Sequence, residues 1–145
     1  MDRDPLLSIR NLRVIFPADS NDDQSNLLAV NDLSLDLYGG ETLALAGESG
    51  SGKTMTALAT LGLIPPPGSI ASGRVLFDGQ DLLTLEKDEF RRLRGNRLSI
   101  IFQDPATTLN PTTTVGGQIS EAYLLHHKQS RIEARNLAID LLAKV

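Results

Sequence analysis

The sequence contains no cysteine and no tryptophan. The first absence excludes disulfide staples and thiolate metal centres, so the fold must stand on an ordinary apolar core. No apolar run approaches the roughly 20 residues needed to cross a bilayer as a helix. The opening Met1-Asp2-Arg3-Asp4-Pro5 is acidic and followed by only two leucines, which does not read as a secretory signal. Basic residues are also few, 14 Lys and Arg against 18 Asp and Glu. A net charge of −4 gives solubility but not the clustered cationic face that nucleic-acid binding requires. With 41% hydrophobic and 22% charged residues, the 145-residue chain has the composition of a globular domain and not of a disordered one.

What is present centres on Gly47-Glu48-Ser49-Gly50-Ser51-Gly52-Lys53-Thr54, which fits the phosphate-binding pattern G-x-x-x-x-G-K-[ST]. A match by chance in a chain this long has a probability of roughly half a per cent. Thr42-Leu43-Ala44-Leu45-Ala46 before it reads as a short buried strand, and Met55 to Leu63 after it as a helix. In that context backbone N–H groups line a concavity, and the positive end of the helix faces the same point. Lys53 then reaches the β- and γ-phosphates, and the Thr54 hydroxyl takes a place on Mg²⁺. Two rival motifs fail. A nucleophile elbow starting at Gly47 needs glycine where Ser51 stands, and a dinucleotide fingerprint starting at Gly50 needs glycine where Met55 stands.

Around this loop the chain predicts a strand from Leu6 to Phe16, with turn-prone Arg10-Asn11 inside it and Pro17 at its end. A polar loop spans Ala18 to Asn26, and an alternating strand runs from Ala29 to Tyr38. Asp36-Leu37-Tyr38-Gly39 spells the D-x-x-G of GTPases, but it precedes the phosphate loop, the wrong order. Pro65-Pro66-Pro67-Gly68 stops the first helix, and Gly73 to Phe77 forms a strand leading into an Asp78-Gly79 turn. An apolar run ending in Asp78 also describes a magnesium-binding strand; the turn signals favour the hairpin.

Glu86 to Leu93 predicts a charged helix, and Leu98-Ser99-Ile100-Ile101-Phe102 a buried strand. Gln103-Asp104-Pro105 opens an irregular, stiff loop reaching Thr114, and helix resumes from Val115 to His127. The adjacent His126 and His127 face different directions on a helix, which favours a solvated pair over a metal site. Ser130 and Glu133 form a capping box. Behind it Ala134, Leu137, Ala138, Leu141, Leu142 and Val145 make one apolar stripe, and its abrupt stop leads us to expect a cut helix. That stripe also argues against a magnesium role for Asp140.

Together these features resemble the ATP-binding cassette (ABC) transporter ATPases, and within them the oligopeptide, dipeptide and nickel importer branch. The resemblance is carried by Gly47 to Thr54, Leu61-Gly62-Leu63-Ile64-Pro65 and Phe77-Asp78-Gly79-Gln80-Asp81-Leu82-Leu83. It continues through Arg94-Gly95-Asn96-Arg97, Ile101-Phe102-Gln103-Asp104-Pro105 and Leu109-Asn110-Pro111. Ala106-Thr107-Thr108 departs mildly from the family's usual Met-x-Ser.

The resemblance implies an α/β P-loop NTPase with an antiparallel β-subdomain and the start of a helical subdomain. Residues 1–145 would be the N-terminal portion of one nucleotide-binding domain. It implies ATP and Mg²⁺ as cofactors, with Phe16 stacking on adenine and Gln103 ligating Mg²⁺ and sensing the γ-phosphate. Lys53 and Gln103 are then the catalytic-site residues present here. Partners implied are transmembrane permease subunits touching the loop after Gln103, and a second ATPase subunit. The location implied is peripheral, on the cytoplasmic face of the membrane. The family's Leu-Ser-Gly-Gly-Gln signature, its apolar strand ending in Asp-Glu and the histidine beyond that strand do not occur in these residues. The expectation is part of the ATP-binding subunit of an ABC importer that couples ATP binding and hydrolysis to uptake of peptides or nickel, with these 145 residues not hydrolysis-competent alone. Two alternatives stand beside it, a non-catalytic nucleotide-binding fragment and another P-loop NTPase. A GTPase would need Asn-Lys-x-Asp, which is absent.

Overall fold

The computed structural model describes residues 4–18, 26–104 and 108–145. The polar loop expected between Ala18 and Asn26 lies mostly outside them, as do Pro105, Ala106 and Thr107. The chain falls into two compact units, residues 1–90 and 91–145.

The first unit is built on a four-stranded antiparallel sheet in the order β2-β1-β3-β4. Its strands are β1 (Leu7–Phe16), β2 (Leu27–Leu37), β3 (Ser69–Phe77) and β4 (Gln80–Asp81). Helix α1 (Lys53–Thr60) comes between β2 and β3 in the chain, and a 3-10 turn (Leu82–Thr84) follows β4. Strict alternation from Ile9 would bury Asn11. The strand instead bulges there, with Asn11 at φ 48, and the phase resets so that Leu12 and Val14 turn inward. Ile9, Leu12 and Val14 are all but fully buried, together with Val75 of β3 and Leu82. Each such side chain contributes about 1.5–3 kcal/mol by leaving water.

Strand β2 answers with its own irregularity at Asp32, φ 56, so the ladder recovers its register. The two bulges are tied by Asn11 Nδ2 donating to Asp32 Oδ1 at 2.9 Å, and by the Asn11 N–H donating to Ser34 Oγ at 2.9 Å. On the other side β3 meets the bulge with Gly73. A Cβ there would sit 2.6 Å from Leu12 Cα and 2.8 Å from the carbonyl oxygens of Arg10 and Asn11, so only glycine fits. Farther along, Arg10 Nη2 donates to Asp36 Oδ2 at 2.8 Å across β1 and β2. The β3–β4 connection is the Asp78-Gly79 turn, both residues at positive φ as a two-residue hairpin requires, so Asp78 is a turn residue.

Helix α2 (Lys87–Leu93) spans the division between the units, with acidic residues in its first turn and Arg91 and Arg92 in its last. The second unit contains α3 (Val115–Leu124) and α4 (Arg131–Leu142). Ala134 and Ala138 are buried there, and Ser120 Oγ donates to the Gly116 carbonyl at 2.7 Å and to the Ala134 carbonyl at 3.3 Å. Small residues at these positions let the helices approach closely. The Ser130–Glu133 capping box is formed on both arms. The outer part of the stripe differs from expectation: Leu141, Leu142 and Val145 are exposed. His127 stacks on Tyr123 with ring centroids 4.3 Å apart, and the His126 imidazole lies against Gly95.

Two expected strands do not form. Residues 42–46 and 99–102 carry no strand pairing, and only Leu98 makes an isolated bridge, to Arg94. Apart from half-buried Ile100, their apolar side chains are exposed, Ile101 at 95%. An apolar run becomes a strand only when a neighbouring edge takes up its N–H and C=O groups. Among the described residues no edge does so.

Candidate nucleotide-binding site

The loop Gly47–Thr54 is shaped by its glycines and its lysine. Gly52 caps α1 from the left-handed region, φ 90. A Cβ on it would run directly into the Ala29 carbonyl oxygen, so the loop is seated against β2 at Ala29 and Val30. Gly50 also has positive φ, at 82, and a Cβ on Gly47 would meet Ser51 Oγ at 2.6 Å. The loop closes on itself where the Ser51 N–H donates to the Glu48 carbonyl at 3.2 Å. The first helical bond runs from the Thr56 N–H to the Gly52 carbonyl at 2.8 Å, and buried Thr56 doubles it with its hydroxyl at 2.9 Å. The first N–H groups of α1 thus point out of the helix at the loop.

Lys53 turns its ammonium back into the loop. Nζ donates to the Gly47 carbonyl at 2.8 Å, the Glu48 carbonyl at 2.7 Å and Ser51 Oγ at 3.3 Å, three acceptors for three N–H bonds. Thr54, in the first turn of α1, is exposed. Glycines that leave no room for a Cβ, a lysine ammonium and a free-facing threonine are the donor set that a magnesium–triphosphate group fits.

Phe16 closes β1, opposite Leu27 of β2, and its ring abuts Gly68. It is half-buried. The loop and Phe16 lie along one ribbon: Val14 pairs with Val30, next to which Gly52 is seated, and Phe16 lies two residues farther on. Two residues of strand correspond to about 7 Å.

Gln103 belongs to the second unit, at a bend, with an exposed side chain. The later part of its loop is held in a way that sequence reasoning missed. Gln118 of α3 accepts from the Asn110 N–H at 3.0 Å and donates to the carbonyls of Asn110 and Thr113, each at 3.1 Å. Asn110 Oδ1 in turn accepts from the Thr112 N–H at 3.0 Å and its hydroxyl at 2.7 Å. The prolines and threonines marked an irregular, stiff loop; nothing in the sequence marked Gln118 as its clasp. The Lys53 contacts to Gly47 and Glu48 were likewise invisible before folding.

Comparison with known proteins agrees with this geometry. Residues 30–144 match the sequence profile of the ABC transporter family. The dipeptide transport ATP-binding protein DppD of Bacillus subtilis is 45% identical over 141 residues, covering 97% of this chain and 41% of that protein. The oligopeptide transport ATP-binding protein OppD of Escherichia coli is 43% identical, covering 98% and 41%. The chain therefore spans about two fifths of the length of these relatives. Among solved structures, the dimeric bacterial ABC transporter cassette MJ0796 superposes with a TM-score of 0.78 at 21% identity, over 94% of this chain and 56% of that one. The same cassette in a post-hydrolysis state bound to ADP and Pi gives 0.76 at 20%. A cassette fold and a profile match over residues 30–144 lead to one conclusion: this chain belongs to the ABC transporter family of ATP-binding cassettes.

Proposed function

We propose that this chain is the nucleotide-binding portion of an ABC importer ATPase, which couples ATP binding and hydrolysis to the uptake of peptides or nickel. The observation that carries this reading is Lys53 Nζ held over the Gly47–Ser51 loop at the start of α1. The loop amides and the N-terminus of α1 bind the phosphates, and Lys53 neutralises the β- and γ-phosphoryl oxygens. Thr54 and Gln103 would hold Mg²⁺, which would supply positive charge against the charge developing in phosphoryl transfer. Phe16 stacks on adenine; its place on the β1–β2 ribbon, about 7 Å along the strand from the seat of the loop, supports that role.

Hydrolysis belongs to the full-length subunit. Phosphoryl transfer depends on positioning and charge stabilisation, and the Leu-Ser-Gly-Gly-Gln signature and Asp-Glu strand do not occur in these 145 residues. The dimeric cassettes with the same fold support pairing with a second ATPase subunit. The loop after Gln103 is the surface for transmembrane permease subunits, which places the protein peripherally at the cytoplasmic face of the membrane. Among the described residues no helix is long and apolar enough to cross a membrane. The transport names of the relatives, dipeptide and oligopeptide, support peptides over nickel.

Equilibrium titration with Mg-ATP tests the binding step. Affinity lost in Lys53→Ala with the fold retained supports it, and unaltered affinity sinks it.

A further inference from the structure

We propose that Gly68 is a positioning residue for the nucleotide base: the space its missing side chain leaves is what sets the Phe16 ring in place. The proposal rests on the reading of Phe16 as the aromatic that stacks on the base.

The register of the sheet brings the two residues together. Ile15 of β1 pairs with Ser69 of β3, so the next residue on one strand faces the preceding residue on the other. Those neighbours are Phe16 and Gly68. A Cβ built on Gly68 would lie 2.5 Å from Phe16 Cζ, 2.6 Å from Cε1 and 2.8 Å from Ile64 Cγ2. All three distances are shorter than carbon atoms can approach, so a methyl group there must displace the ring or Ile64.

The backbone does not explain this glycine. Unlike Gly52 or Gly73, Gly68 is not in the left-handed region that favours glycine. Nor is the site slack, because the Gly68 N–H donates to the Pro65 carbonyl at 2.9 Å and closes the turn that enters β3. The glycine is therefore required by the ring. The contact atoms are two adjacent carbons of that ring, Cζ and Cε1, so the space left at Gly68 limits where the ring can sit.

A structural role alone would lower stability without distinguishing ligands. A role in base placement affects only ligands that carry a base. The test is therefore to titrate the chain with Mg-ATP and with magnesium tripolyphosphate, in Gly68→Ala, Phe16→Ala and the double variant, with thermal unfolding alongside. Stacking energies lead us to expect Mg-ATP affinity about tenfold weaker in Gly68→Ala. Tripolyphosphate affinity should stay within about twofold, and the double variant should bind Mg-ATP no more weakly than Phe16→Ala alone. If Gly68→Ala proves poorly folded, the melting temperatures decide. Truncating Phe16 should then recover part of the loss, and a double variant as unstable as the sum of both would overturn the proposal. Equal loss of both ligands in Gly68→Ala overturns it too, as does unchanged Mg-ATP affinity in that variant while Phe16→Ala weakens it. If Phe16→Ala leaves Mg-ATP affinity unchanged, the stacking reading itself fails and the proposal falls with it.

Discussion

Gln118 holds Asn110 by both of its backbone groups, accepting from the N–H at 3.0 Å and donating to the C=O at 3.1 Å. One side-chain amide thereby does the work of a neighbouring strand for a residue in a loop, and its second N–H extends the grip to Thr113. The loop expected to be stiff from its prolines and threonines owes its shape to a residue eight positions away.

Gln118→Ala should release that loop. Hydrogen bonds at a partly exposed site are each worth about 0.5–1.5 kcal/mol net, so a loss of roughly 1–3 kcal/mol from the second unit is expected. Amide hydrogen exchange at Asn110 should accelerate in the variant while exchange within α4 stays slow. Unchanged protection at Asn110 would show that the clasp does not hold in solution.

Lys53→Ala should abolish measurable Mg-ATP binding and leave the chain folded. The side chain's partners are loop carbonyls and one hydroxyl on the exposed face, so the loss is confined to the loop and comparable to that at Gln118, about 1–3 kcal/mol. Lys53→Arg should fail nearly as badly, since a planar guanidinium cannot present three converging N–H bonds to the loop.

Gly52→Ala and Gly39→Ala should separate cleanly. Alanine at 52 faces both a φ of 90 and the Ala29 carbonyl, and a loss of about 2 kcal/mol or more is expected together with nucleotide binding. A Cβ at Gly39 meets nothing within 4 Å and its φ is ordinary, so alanine there should be neutral. Urea denaturation of the pair reads the difference directly.

Two carboxylates make stability fall in acid. The Arg10 guanidinium, followed by the Ser8 hydroxyl, holds Asp36 below the usual carboxylate range, and the Ser130 backbone N–H and hydroxyl do the same for Glu133. A group depressed on folding contributes stability at pH above its ordinary value and loses it as pH falls through the folded one. Melting temperature should therefore decline below about pH 4. Asp36→Asn and Glu133→Gln should each melt lower near neutrality and show a shallower decline; an unchanged slope in both would refute the assignment.

Much of the first unit was legible in the sequence because its signals are local. Apolar positions marked β1, alternation marked β2, a short run marked the end of β3 and Asp78-Gly79 marked the hairpin, while in the second unit Ser130 with Glu133 marked the start of α4. The phosphate loop was legible for the same reason, since glycine, lysine and threonine at fixed spacing carry the chemistry themselves. Residues 42–46 and 98–102 were misread because apolar content alone does not make a strand; a ladder partner does, and pairing is not a local property. Gly68 was read only as part of a helix stop. Its contact with Phe16 depends on the Ile15–Ser69 register, and Gln118 depends on where α3 places an amide. Both arise from chain segments that fold back on one another, which periodicity cannot report.

The paired bulges at Asn11 and Asp32 also bear on how the protein behaves in concentrated solution. Strand β2 is the outer strand of its sheet, and Leu27 and Leu28 stand 67% and 50% exposed near its start. A straight outer strand with such residues invites a second copy to add its own strand. The Asp32 bulge breaks the row of outward-facing N–H and C=O groups partway along and puts a carboxylate at the break. Asp32→Val disfavours φ 56 and removes the tie to Asn11, so β2 should straighten at a cost in stability, and size-exclusion chromatography should show self-association with β2 as the template.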